Sequence, residues 1–229
     1  MKKYLIFTLF AVMMAAVLAG CGAAAGDGQD SAPKSDGMEA ALAMVGDFVT
    51  TRYFSDEAVP DTDIEQILTA GVNTASASNR QPWHFTAVTS SDVLQQILEA
   101  VNARREANGQ DPLPEPEVGR AVETNIGRVP LLIVVSMDEG AELNAGLAAQ
   151  NMAVMAQLLE YGTKIETSPA SAINDNLETL GGVLGIPEGQ RAAVVIKIGK
   201  PDLSVDETLD GFTAATARNP MNELTTRVS

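Results

Sequence analysis

Ser76-Ala77-Ser78-Asn79-Arg80-Gln81-Pro82-Trp83-His84-Phe85 joins a short amphipathic helix pattern to a segment that reads as a strand. Between the two patterns the side chains are polar and rich in amides. Asn and Gln each offer paired donors and acceptors, which suits a planar heterocycle of alternating carbonyls and ring nitrogens. Trp83 and Phe85 read as core residues and His84 as a surface or boundary residue. Upstream, Arg52-Tyr53-Phe54-Ser55-Asp56-Glu57-Ala58-Val59 supplies a cation before another mixed stretch. Little else in the chain could carry chemistry. One His and one Cys in 229 residues exclude His/Cys metal clusters, disulfide frameworks and Cys-His or Ser-His nucleophiles. A catalyst of this composition must borrow its reactivity from a cofactor.

The N-terminus carries an address. Lys2 and Lys3 precede an apolar run from Tyr4 to Ala19 that ends in Leu18-Ala19-Gly20-Cys21. A basic start, a short apolar stretch and small residues before the cleavage point make a secretory signal over residues 1–20, too short for a spanning helix. Leu-Ala-Gly-Cys resembles the bacterial lipobox, which implies that Cys21 is lipidated and becomes the mature N-terminus. The expected location is extracytoplasmic, tethered to a membrane through the lipid anchor. Residues 21–37 then read as the lipidated Cys and a flexible linker with a reach of roughly 20 Å. With 15 basic against 30 acidic residues, nucleic acid is not an expected partner.

Residues 38–229 read as one domain with no internal repeat. Met38 to Val49 has helical spacing. Pro60 opens the next helix, where Thr62 and Glu65 match a capping box and Ile64, Ile67, Leu68 and Val72 line one face. Leu94, Ile97, Leu98 and Val101 mark a helix after Ser91, and three prolines between Asn108 and Pro116 mark a loop. Pro130 to Val135 is a continuous apolar run, hence a buried strand, and Ala192 to Ile198 is a second one. Between them Ala141 to Tyr161 predicts a long helix rich in Ala, Gly and Met, whose small residues let another backbone come close. A central core helix is the expectation, and a role at a dimer interface is compatible with it. The class expected is α+β, a mixed β-sheet flanked by helices.

From Thr50 to Val228 the chain resembles the nitroreductase family of FMN-dependent oxidoreductases. The segments that carry the resemblance are Arg52 to Val59, Ala75 to Phe85, Ala148 to Tyr161, Leu184-Gly185-Ile186-Pro187-Glu188-Gly189 and the tail around Arg218. It implies a homodimer with FMN in the subunit interface and the chemistry carried on the flavin rather than by a catalytic side chain. Thr50 would lie in the phosphate-binding segment and Arg52 near the pyrimidine edge of the ring. Ser76, Asn79 and Gln81 would bond to or flank the ring, Ser168 and Pro169 would cover its face, and Arg218 would bind the FMN phosphate. One departure is Phe48, where the family places a basic residue that helps to hold the phosphate.

A second resemblance bears on that departure. Asp210-Gly211-Phe212-Thr213-Ala214-Ala215-Thr216 resembles the motif modified by extracytoplasmic flavin transferases, which implies FMN joined through its phosphate to Thr216. The activity implied is reduction of small electron-poor acceptors, nitroaromatic or quinone-like, with NAD(P)H or a membrane redox donor supplying electrons. A lid over Asn108 to Arg120 would select among them. Two alternatives stay open: an extracytoplasmic flavin electron carrier, and a flavin-free binding lipoprotein on the same fold.

Overall fold

The computed structural model describes residues 50–113, 125–202 and 218–228, with Gly37, Leu42, Val45 and Gly46 as isolated positions. Contacts divide the chain into Met1–Met38 and Glu39–Ser229, and every element below belongs to the second unit. Along it run α1 (Asp61–Val72), β1 (Trp83–Val88), α2 (Ser91–Ala107), β2 (Leu131–Met137), α3 (Glu142–Leu158), β3 (Gly162–Glu166), α4 (Ser168–Asp175), α5 (Leu177–Val183), β4 (Arg191–Gly199) and α6 (Met221–Leu224), with 3₁₀ turns at Ala77–Asn79 and Ile126–Arg128.

All seven residues of β2 are buried, which is why this stretch reads as an unbroken apolar run. It lies inside a four-stranded sheet of order β1-β2-β4-β3, and successive side chains enter opposite layers. Leu132 and Val134 join Val195 and the residues of α2, α4 and α5 on one face. Leu131, Ile133 and Val135 join Ile196, Ile198 and the residues of α1 and α3 on the other. Each such side chain removed from water contributes about 2 kcal/mol. The named strands pair antiparallel. Among the described residues the parallel component of the expected mixed sheet is an isolated bridge, Thr50 to Thr163.

Helix α3 lies across the second face. It buries Ala145, Ala148, Ala149, Met152, Ala153 and Ala156, and these small side chains let α1 come close. A Cβ on Gly71 of α1 would stand 2.7 Å from Met152 Sδ. The outward side of α3 is mixed: Leu143 is 76% and Leu147 46% exposed, beside exposed Glu142, Gln150 and Asn151. Exposed leucines on a helix otherwise buried by its small residues are a surface that a further packing partner could cover.

Two local expectations are corrected. Thr62 and Glu65 form no capping box: Pro60, extended at φ −61° and ψ 147°, starts the helix at Asp61, and no side chain caps it. Asp61 and Asp63 instead place negative charge in the first turn, where the helix dipole favours it. Val72 leaves the apolar face and is 52% exposed. Leu42, Val45 and Gly46 are helical, as the spacing of Met38 to Val49 requires. Cys21, the linker apart from Gly37, Phe48, the distal part of the Asn108–Arg120 segment and Thr216 lie outside the described residues. No described helix is long and apolar enough to cross a membrane.

Candidate functional site

The stretch after α1 is a strained loop held by many bonds. Ser78, Asn79 and Gln81 all have left-handed φ, at 54°, 55° and 49°. A non-glycine residue in that region costs on the order of 1 kcal/mol or more, so the loop needs compensation. Asn79 N–H donates to Ser76 O at 3.0 Å and Arg80 N–H to Ala77 O at 3.1 Å. Gln81 N–H donates to Ser76 Oγ at 2.9 Å, and Ala77 N–H to Asn144 Oδ1 of α3 at 3.3 Å. Asn151, two turns along the same helix, donates to Ala70 O at 2.8 Å and to Thr74 Oγ1 at 3.1 Å. Asn79, Arg80 and Gln81 stand exposed, and Gln81 Nε2 donates to Asn79 Oδ1 at 3.3 Å and to Asn79 O at 3.4 Å. Pro82 is buried and leads into β1, where the Trp83 and Phe85 rings stack at 6.0 Å. Both rings are only half-buried and His84 is exposed.

A second group of expected residues flanks β3. Thr51 N–H donates to Thr163 O at 2.8 Å, laying Thr50 and Thr51 along the strand. Gly162 makes this approach possible, since a Cβ there would come within 2.7 Å of Thr51 Cβ. Farther on, Ser55 N–H donates to Lys200 O at 2.9 Å and Asp202 N–H to Tyr53 O at 3.0 Å. Arg52, half-buried, is thus held between two anchored points. At the other end of β3 the chain enters α4, with Ser168 exposed and Pro169 buried in its first turn. Arg218 is exposed at the start of the described tail.

Sequence patterns alone miss the ion cluster beside this group. Glu166 meets Lys164 at 2.9 Å and Lys197 at 3.0 Å. The Lys197 side chain is 5% exposed. Burial works to raise the Glu166 carboxyl, but Lys197 and Lys164 together outweigh it and hold it below the usual carboxylate range. The cluster fastens the end of β3 just before Thr167, Ser168 and Pro169. Alternation of Thr163 and Ile165 with Lys164 and Glu166 was the available signal, but it gives no pairing across strands. Asn144 also escapes a reading of the sequence; a polar residue on an Ala- and Met-rich helix was its only mark.

The two groups do not meet in one chain. Ser76, Asn79 and Gln81 precede β1, one edge of the sheet, whereas Thr50, Ser168 and Pro169 attach to β3, the other edge. Three inter-strand spacings, roughly 14 Å, separate those edges. Among the described residues no cluster of His, Cys, Asp and Glu could hold a metal ion.

Known proteins share the family and the fold. A protein of Archaeoglobus fulgidus, provisionally named NADH dehydrogenase/NAD(P)H nitroreductase, is 30% identical over 166 residues, covering 72% of this chain and 87% of its own. The fold is shared with a nitroreductase from Bacteroides fragilis crystallised with bound FMN, at 19% identity, a TM-score of 0.63 and coverage of 82% of this chain and 98% of that one. It is shared as well with an FMN-bound nitroreductase from Desulfitobacterium hafniense, at 20% identity, a TM-score of 0.60 and the same coverage. The nitroreductase family model matches residues 49–200, which span the Thr50–Arg52 segment, the strained loop and the whole sheet, and the chain belongs to that family.

Proposed function

We infer that this chain is an FMN-dependent oxidoreductase whose flavin sites are each built from two copies. The observation that carries this reading is the placement of the expected ligands on opposite edges of one sheet. A second copy, packed through the exposed Leu143 and Leu147 side of α3, brings the Ser76–Gln81 loop of one subunit towards the Thr50, Arg52 and Ser168 side of the other. The donor set fits FMN. Rigidly presented amides on Asn79 and Gln81 suit ring carbonyls and nitrogens, and guanidinium groups on Arg52 and Arg218 suit the electron-rich ring edge and the phosphate. Bound FMN supplies the two-electron chemistry that no side chain here provides; the residues bind it, orient it and leave one face for a small electron-poor acceptor. The names and bound FMN of the relatives support the same cofactor and reaction class.

The finer reading is an extracytoplasmic lipoprotein anchored at Cys21. FMN is joined to Thr216 by a flavin transferase, which forms a phosphoester to the Thr216 hydroxyl and releases AMP from FAD. What supports it is the N-terminal pattern, the Asp210–Thr216 motif and the absence of a basic residue at Phe48. A tethered cofactor rebinds at high effective concentration and is not lost to dilution. Outside the cytoplasm a membrane redox donor takes the place of NAD(P)H.

Subunit complementation tests the two-copy site. Arg52→Ala and Asn79→Ala each weaken FMN binding at both sites of a homodimer. Refolded together, they give mixed dimers with one doubly altered site and one intact site, so FMN binding returns in part. No recovery on mixing would mean that Arg52 and Asn79 serve one site from one chain, or no common site.

A further inference from the structure

We propose that Ser76 is a positioning residue: its hydroxyl oxygen, as acceptor of the Gln81 N–H, clamps the loop in the left-handed form that presents Asn79 and Gln81. This rests on the flavin-site reading above and refines one part of it, because Ser76 was expected to bond to or flank the ring. The geometry commits the residue elsewhere. Ser76 closes the loop twice, through its carbonyl to Asn79 N–H at 3.0 Å and through Oγ to Gln81 N–H at 2.9 Å. The two bonds span the three left-handed residues Ser78, Asn79 and Gln81. None of the three is glycine and only Asn79 is of a type that favours the region, so Ser78 and Gln81 need bonds from elsewhere to hold this form. Asn144 fixes the base of the loop through Ala77 N–H, and the Trp83 N–H bond to Gln81 O at 2.9 Å fixes its exit. The middle depends on Ser76, with the Arg80 N–H bond to Ala77 O at 3.1 Å and the Gln81 Nε2 bonds to Asn79 O and Oδ1 at 3.4 and 3.3 Å beside it. Backbone strain of this kind, over-determined by its surroundings, is how a binding loop is pre-organised.

The test uses the full-length protein and three variants: Ser76→Ala, Ser76→Thr and the double variant Ser76→Ala with Ser78→Gly. Hydrogen exchange at the Gln81 amide is measured first, without added flavin. Ser76→Ala should speed it about tenfold, equivalent to ~1.4 kcal/mol and the size of one net hydrogen bond, while Ser76→Thr keeps the acceptor and the protection. Unchanged exchange in Ser76→Ala overturns the clamp. FMN affinity is then measured on the same four proteins. Kd should rise about tenfold in Ser76→Ala, as expected from loss of one such bond. It should return in Ser76→Thr and recover in part in the double variant, since glycine adopts φ near +54° without strain. A loss of affinity that neither change restores makes Ser76 a direct ligand and overturns the positioning role. Faster exchange with unaltered Kd overturns it too, since the loop would then be free to open without cost to binding. A wild-type protein that binds no FMN defeats the cofactor reading instead, and the exchange arm still decides the clamp.

Discussion

Asn174 holds Ala192 by both of its backbone groups: its Nδ2 donates to the Ala192 carbonyl at 2.9 Å, and its Oδ1 accepts from the Ala192 N–H at 2.8 Å. Ala192 lies in β4 beyond the point where β3 stops, for the pairing ends at Glu166 and Val195. The amide of an α4 side chain therefore takes the place of the missing strand. It also sits beside the irregularity in the β2–β4 register between Val135 and Ser136. Asn174→Ala leaves two buried backbone groups without partners, at about 1–3 kcal/mol each. A fall of about 2–6 kcal/mol in unfolding free energy is expected, read from the urea midpoint at constant m-value.

Glu166 should make stability fall in acid. Its folded pKa is lowered, with Lys197 and Lys164 outweighing burial. The stabilisation is complete above the ordinary carboxylate range and is lost as pH falls through the lowered folded value. Glu166→Gln should cost roughly 2–3 kcal/mol near neutrality, because it takes from the buried Lys197 ammonium the carboxylate 3.0 Å away. The same variant should flatten the acid limb of a thermal-melt series taken below the usual carboxylate range. An acid limb identical to wild type would show that Glu166 is not its source.

Tyr161 predicts the opposite limb. Burial first, and then the hydrogen bond to Asp63 and the nearby charges of Asp63 and Glu57, push its phenol from 10.0 up to about 12. The hydroxyl donates to Asp63 Oδ2 at 2.6 Å, tying the end of α3 to the start of α1. A raised folded pKa stabilises the protein below the unfolded value of 10.0, and that contribution disappears as pH rises from 10.0 towards about 12. Tyr161 should therefore ionise late in an ultraviolet titration. Tyr161→Phe should remove that late step and cost about 1.5–3 kcal/mol, the range for a bond to a charged acceptor.

Gly162→Ala tests the Thr50–Arg52 segment without touching a proposed ligand. The added methyl would strike Thr51 at its Cβ, so the segment must move away from β3. Overpacking of this kind costs about 1–3 kcal/mol. FMN affinity should fall more steeply than the melting temperature, measured by flavin fluorescence on titration alongside calorimetry.

For the covalent reading, the mature protein secreted from a host with a flavin transferase should gain the mass of one FMN less water. Thr216→Ala should lack it. An unaltered wild-type mass, with FMN released on denaturation, would leave an ordinary dissociable flavin.

Parts of this fold were legible because one layer of physics decided them. Leu131 to Val135 could only be a strand buried on both faces, and Leu94, Ile97, Leu98 and Val101 repeat at helical intervals, all four buried. β3 was not legible. Its Lys164 and Glu166 look like solvent residues until Lys197 is brought beside them from 31 positions along the chain. α4 and α5 are short, and their burial depends on the sheet they cover. In the loop, the amides of Asn79 and Gln81 were visible as chemistry, but their left-handed backbone was not. Only Asn among those residue types favours that region at all, and Ser78 and Gln81 are forced into it by bonds that a linear reading does not contain. The placement of the expected ligands at two sheet edges was equally hidden, because strand order is settled by pairing and not by position in the chain.

The leucines left in water on α3 have a thermodynamic consequence. If each flavin touches both copies, every bound flavin tightens the pair, and by linkage every pairing tightens the flavin. In protein whose FMN is not joined to Thr216, dilution alone should then strip cofactor, at a threshold that moves down as free FMN is raised. There cofactor and partner hold one another in place, and scarcity of either releases both.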